Sequence, residues 1–188
     1  MEQSKSISNM LILISIFITS LTIPFQQLYN YWMNNYYLGN WDYLTLLIQF
    51  CLYQFLHWWL LHILSNSIFI YLFWNQVERL LWKKRFLMFF LLNTIFTWVA
   101  ILILSEWNTV GISWFAMAVM WYVFMYMRKI RHPDYKWAWT FLALNILIWF
   151  SSNISLVWHL WWAVFGCLFF IFESNLKKKK FNKKIYEL

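Results

Sequence analysis

Phe86-Leu87-Met88-Phe89-Phe90-Leu91-Leu92-Asn93-Thr94-Ile95-Phe96-Thr97-Trp98-Val99-Ala100-Ile101-Leu102-Ile103-Leu104 runs without a charge and is preceded by Lys83-Lys84-Arg85. As a helix at about 1.5 Å per residue it would be about 28 Å long, close to the roughly 30 Å of a bilayer core. Five more apolar stretches flank it: Met10 to Gln27, His57 to Glu78, Ile112 to Met127, Tyr135 to Phe150 and Ile154 to Phe172. The pattern predicts an all-α, polytopic membrane protein with six spans. Composition agrees, because 63% of the 188 residues are hydrophobic and only 12% are charged, too few to cover a soluble domain. Disorder, a disulfide scaffold and a soluble enzyme are thereby excluded. Cys51 and Cys167 lie in apolar surroundings and read as small core residues.

All fifteen Lys and Arg fall in four places: Lys5, Arg79 to Arg85, Arg128 to Lys136, and Lys177 to Lys184. The connections at 28–44, 105–110 and 151–153 contain none. By the positive-inside rule both termini are cytoplasmic, and spans two, four and six descend from the outer face. The net charge of +8 therefore has a topological source, and no nucleic-acid partner is expected. The run Lys177-Lys178-Lys179-Lys180 is placed against anionic lipid. The expected organisation is a cytoplasmic N-terminus at 1–9, one membrane domain at 10–172 and a basic cytoplasmic tail at 173–188. Leu28 to Leu56 is polar in its first half and apolar from Tyr43, which suggests an outer loop that partly re-enters the bilayer. Met10 to Thr22 is not followed by a small-x-small site, so it is expected to stay as a span rather than be cleaved as a signal peptide.

Polar side chains at membrane depth are candidates for function. His57, His62 and Asn66 lie on span two, Ser113 heads span four, and His159 lies on span six. His62 is 17 residues before Arg79, Ser113 is 15 before Arg128, and His159 is 18 before Lys177. Three helices descending from one side thus bring a hydroxyl and two imidazoles to a common layer, roughly 22–27 Å above the inner boundary. A serine needs a base to become a nucleophile, and a neutral imidazole is the usual one. A tetrahedral oxyanion needs donors, which an imidazole, an amide side chain and backbone N–H groups supply. Every carboxylate lies in a loop, a tail or at a span end, so a Ser–His dyad is expected rather than a triad.

Each residue alone has a plainer reading. A single span serine bonds to its own helix, and a single span histidine packs or relays protons. His57 and His62 stand at i and i+5, so they are not expected to share a helical face or to bind a metal together. The common depth raises the set above its members.

Gln54 to Asn66 resembles the second-span signature of the rhomboid intramembrane serine proteases, with the H-x4-H-x3-N spacing kept by His57, His62 and Asn66. Glu78-Arg79 is similar to the acidic-basic pair that ends that span in the family. Gly111-Ile112-Ser113 resembles the nucleophile motif G-x-S-G, with Ala118 keeping a small residue five positions on. His159, with Gly166 seven residues later, resembles the sixth-span motif. The likeness covers about residues 40–172 in matching order. It implies a six-helix rhomboid-like bundle with a partly membrane-embedded first loop. It implies that Ser113 is the nucleophile, that His159 is its base, and that His62, Asn66 and the Ser113 N–H hold the oxyanion. The implied activity is cleavage of transmembrane segments of other membrane proteins within the lipid bilayer, without metal or other cofactor. The implied location is a bacterial inner membrane, with oligomeric state undetermined. The alternative is an inactive relative that binds transmembrane helices. A small transporter is a third class, disfavoured because neither internal repeats nor charged midplane helices are visible.

The departures from the family have a pattern. Trp114, Trp121, Trp162, Trp74 and Trp82 stand where the family carries or favours glycine. The whole chain has three Gly and sixteen Trp, against about 13 Gly for an average chain of this length. At face value such residues would wedge spans four and six apart and separate Ser113 from His159. Some bacteria read the codon UGA as glycine and others read it as tryptophan. Glycine at UGA would account at once for the missing Gly, the excess Trp and their positions, whereas UGG codons there would favour the inactive reading.

Overall fold

Ser6 opens the first helix in the computed structural model, which describes residues 6–58, 60–104, 108–140, 142–143 and 156–186, the side chains of 104, 156–160 and 178–186 excepted. The chain divides into two compact units, Met1–Ala116 and Met117–Leu188. Among the described residues the secondary structure is helical, apart from one isolated antiparallel bridge between Met33 and Thr109.

In the first unit, helix α1 spans Ile7–Leu21. It begins and ends earlier than the expected Met10 to Gln27. Pro24 explains the end, because it lacks an N–H and disfavours helical backbone in the residue before it. The helix start is held by Glu78: its carboxylate accepts from the Ile7 and Ser8 amides, each at 2.9 Å, and from the Ser8 hydroxyl at 2.9 Å. A carboxylate there satisfies donors that have no partner within the helix and opposes the positive dipole end.

The segment expected to be a loop is largely helical. A 3-10 helix covers Gln26–Tyr31, α2 covers Tyr36–Gly39 and α3 covers Tyr43–Leu52. Asp42 caps α3, accepting from the Thr45 amide at 3.1 Å. Hydrogen bonds from the Thr45 hydroxyl and amide favour the charged form, so the Asp42 carboxyl sits below its ordinary value.

Helix α4 spans Leu60–Phe69, a π-helical segment spans Ile70–Trp74, and α5 spans Asn75–Leu104. Leu60–Ile103 is long and apolar enough to cross a membrane, and Ile7–Leu21 and Tyr43–Leu52 are shorter apolar helices. The long stretch is not one straight rod. Trp74 and Phe86 have ring centroids 6.4 Å apart, whereas twelve residues of straight helix would separate them by about 18 Å. The chain folds back at Trp82, whose φ of 64° and ψ of 149° interrupt the helix. Two antiparallel legs result, as expected of spans two and three, and the connection between them is helical except at Trp82. Phe115 fills the space beside them, edge-on to Trp74, Phe86, Phe89 and Phe90 at 4.5, 5.7, 4.9 and 5.2 Å.

Helix α6 spans Ser113–Lys129 and starts one residue after its expected position. It closes with the His132 amide on the Met127 carbonyl at 2.9 Å, with Arg131 at φ 53° in the position glycine favours. In the second unit residues 135–140 are helical, and the remainder of expected span five, apart from 142–143, lies outside the described residues. Helix α7 spans Leu156–Tyr186, well past the expected Phe172. At Gly166 it passes so close to α6 that a Cβ would lie 2.3 Å from the Ala118 carbonyl oxygen. Tyr122 packs edge-on against Phe170 beyond that crossing.

Candidate active site

Gly111 organises the site. Its amide donates to the Tyr53 carbonyl at 2.9 Å, and Tyr53 is itself buried with its hydroxyl on the Thr94 carbonyl. Two residues earlier, Thr109 and Met33 exchange both backbone hydrogen bonds at 2.9 Å. The Gln49 side-chain amide donates to the Trp32 carbonyl, and Asn34 donates to the Asn108 side chain at 2.8 Å. The first loop is thereby paired to the segment that leads into α6. Met33, Leu46, Tyr53 and Ile101 form the apolar cluster beneath, with Trp98 and Trp114 packed on it.

Gly111 has φ +95°, which side-chain-bearing residues rarely adopt. A Cβ there would lie 2.8 Å from His62 Cε1, 3.0 Å from His62 Nε2 and 3.6 Å from Asn66 Nδ2. His62 and Asn66 are one helical turn apart on α4, so both face the same way. Asn66 is buried, and its Nδ2 has no hydrogen-bond partner. An unsatisfied buried donor costs about 1–3 kcal/mol, and it leaves the Asn66 amide available to an acceptor.

Ser113, also buried, is the first residue of α6. Ile112 supplies the first helical carbonyl, accepting from the Phe115 and Ala116 amides. The Ser113 amide therefore belongs to the helix end whose N–H groups have no intrahelical acceptor and whose dipole is positive. Of the four expected site residues, His62 and Asn66 lie beside Gly111, two residues before Ser113. The fourth, His159, lies on α7, and its side chain is outside the described residues.

Two features of the site carry no sequence signal, and a third residue, His57, is placed otherwise than expected. The Tyr53 carbonyl and the Met33–Thr109 bridge act through backbone atoms, which any residue possesses. His57 was expected to face away from His62, yet their rings meet edge-to-face with centroids 4.9 Å apart. The expectation assumed helix from residue 57, whereas α4 begins at Leu60, so helical spacing does not apply.

The tryptophans at glycine-favouring positions are accommodated in different ways. Trp74 and Trp162 are fully buried. The indole N–H groups of Trp74 and Trp121 are buried without a hydrogen-bond partner. Trp82 is 81% exposed, and its φ and ψ fall in a region that is essentially glycine-only. Trp114, Ala118 and Trp121 follow i, i+4, i+7 spacing on α6, and Trp162 and Gly166 are one turn apart on α7. Trp114 packs on the Met33, Leu46, Tyr53 and Ile101 cluster, and Trp121 packs edge-on to Trp139.

Ser113, Asn66 and His62 stand on a helical and strongly apolar scaffold. The rhomboid domain model matches residues 45–175, and the chain belongs to the rhomboid family. No curated protein matches it.

Proposed function

We propose that the chain is an intramembrane serine endopeptidase, with six spans, both termini cytoplasmic, in a bacterial inner membrane. Membership of a family that acts on membrane proteins within the bilayer supports the substrate class. The observation that carries the reading is the group around Gly111: His62 and the unpartnered Asn66 Nδ2 converge on the residue two before Ser113. In the proposed reaction Ser113 Oγ attacks a substrate carbonyl while His159 takes the hydroxyl proton. His62, Asn66 and the Ser113 N–H donate to the oxyanion. His159 returns the proton to the leaving amine, and water then hydrolyses the acyl-serine. Membership of the rhomboid family supports the pairing.

A second reading has its own observation. Trp121 lies one turn from Ala118 on α6, and the fully buried Trp162 lies one turn from Gly166 on α7; bulky groups in place of glycine there favour an inactive protein that only binds transmembrane helices. We propose instead that positions 74, 82, 114, 121 and 162 are glycine in the native protein. The Trp82 backbone supports this independently of the family pattern. The test is cleavage of a single-span substrate by the chain with glycine at these five positions. Cleavage lost in a folded Ser113→Ala variant is the expected result, and cleavage that persists in it overturns the dyad.

A further inference from the structure

We propose that His57 is a positioning residue that holds the imidazole of His62 in its oxyanion-binding orientation, an inference that rests on the protease reading above. His57 is fully buried. Its Nδ1 lies 3.1 Å from the Phe55 carbonyl oxygen and 3.3 Å from Thr19 Oγ1, and the Thr19 hydroxyl donates to the same carbonyl at 3.0 Å. A carbonyl only accepts, so this arrangement assigns the proton to Nδ1. Nε2 is then the lone-pair nitrogen, and it is buried without a hydrogen-bond partner.

A phenyl ring would fill this place without leaving a polar atom unsatisfied, so the fold gains nothing from Nε2. What the imidazole does provide is a ring fixed at one edge. The Phe55 carbonyl and Thr19 of α1 set its rotamer, and the ring then meets His62 edge-to-face at 4.9 Å and 66° between planes. Among the described residues, His62 otherwise meets the site through its approach to Gly111. The proposed chain of contacts runs from Thr19 through His57 and His62 to the residue two before Ser113. Oxyanion donors act by being in place before charge develops, so a ring free to turn loses catalysis rather than substrate binding.

The full chain contains four histidines, few enough to assign the nitrogen resonances of a 15N-histidine sample by single substitutions. His57→Asn keeps a donor where Nδ1 stands and removes the ring edge. It is expected to unfold at the wild-type temperature, to shift or broaden the His62 resonances, and to leave those of His132 unchanged. Its kcat should fall about tenfold to about a hundredfold, with KM within about twofold. In a His62→Ala background the same substitution should cost nothing further. Unaltered His62 resonances, or equal losses in both backgrounds, overturn the proposal. If the chain with glycine at 74, 82, 114, 121 and 162 neither cleaves nor reacts with a serine probe, the protease reading fails and the His62 spectrum alone decides the positioning role.

Discussion

The His62 imidazole lies against Gly111 so closely that a single methyl group on that glycine would come within 2.8 Å of Cε1. Two requirements meet at one residue, a left-handed backbone and an unobstructed approach. Gly111→Ala violates both. It should destabilise the protein by more than about 1 kcal/mol and, by displacing His62, lower cleavage by about a hundredfold. Thermal unfolding and turnover on the same preparation check it.

Asn66 is one turn along the same helix face, and its donor is idle in the resting protein. If the oxyanion fills that vacancy, Asn66→Ala should lower kcat by about 10²–10³-fold while KM changes little. Because the amide makes no hydrogen bond at rest, stability should not fall. A variant that loses stability but keeps kcat would assign Asn66 to the fold instead.

Trp82 predicts a gain. Its backbone conformation costs about 1–3 kcal/mol in any residue but glycine, and glycine adds only about 0.4–1 kcal/mol of unfolded-chain entropy. The ring is exposed, so little packing is lost. Trp82→Gly should therefore raise the unfolding temperature. An unchanged or lower one would show that the corner suits the indole. The intact mass of the native protein reads the identity of this residue directly.

Gly166 and Gly39 form a matched pair. A Cβ at Gly166 would meet the Ala118 backbone, whereas one at Gly39 meets nothing within 4 Å. Gly166→Ala should lower stability by about 1–3 kcal/mol and Gly39→Ala should leave it unchanged. Equal effects would remove the claim that the two helices touch through small residues.

Helices were legible where apolar runs are long and charge clusters bound them, as at Phe86 to Leu104. Their ends were less so. Helix α4 starts three residues after His57 because local hydrogen bonds, to Phe55 and Thr19, hold that histidine outside the helix. The first loop hid its helices because Tyr36–Gly39 and Tyr43–Leu52 are too short for a period to emerge. Ser113 and His62 were legible as polar residues expected at one depth with His159, and Asn66 through its spacing from His57 and His62. Their support by the Tyr53 carbonyl and by the Met33–Thr109 bridge was not, because backbone hydrogen bonds leave no mark on residue type.

The central claim is that residue 113 bears an activated hydroxyl. A fluorophosphonate probe tests it directly: the chain with glycine at 74, 82, 114, 121 and 162 is incubated with the probe and the labelled peptide is mapped. A single adduct on Ser113, lost in His159→Ala, is the predicted result. A folded protein that takes up no label, or takes it up equally without His159, would contradict the account.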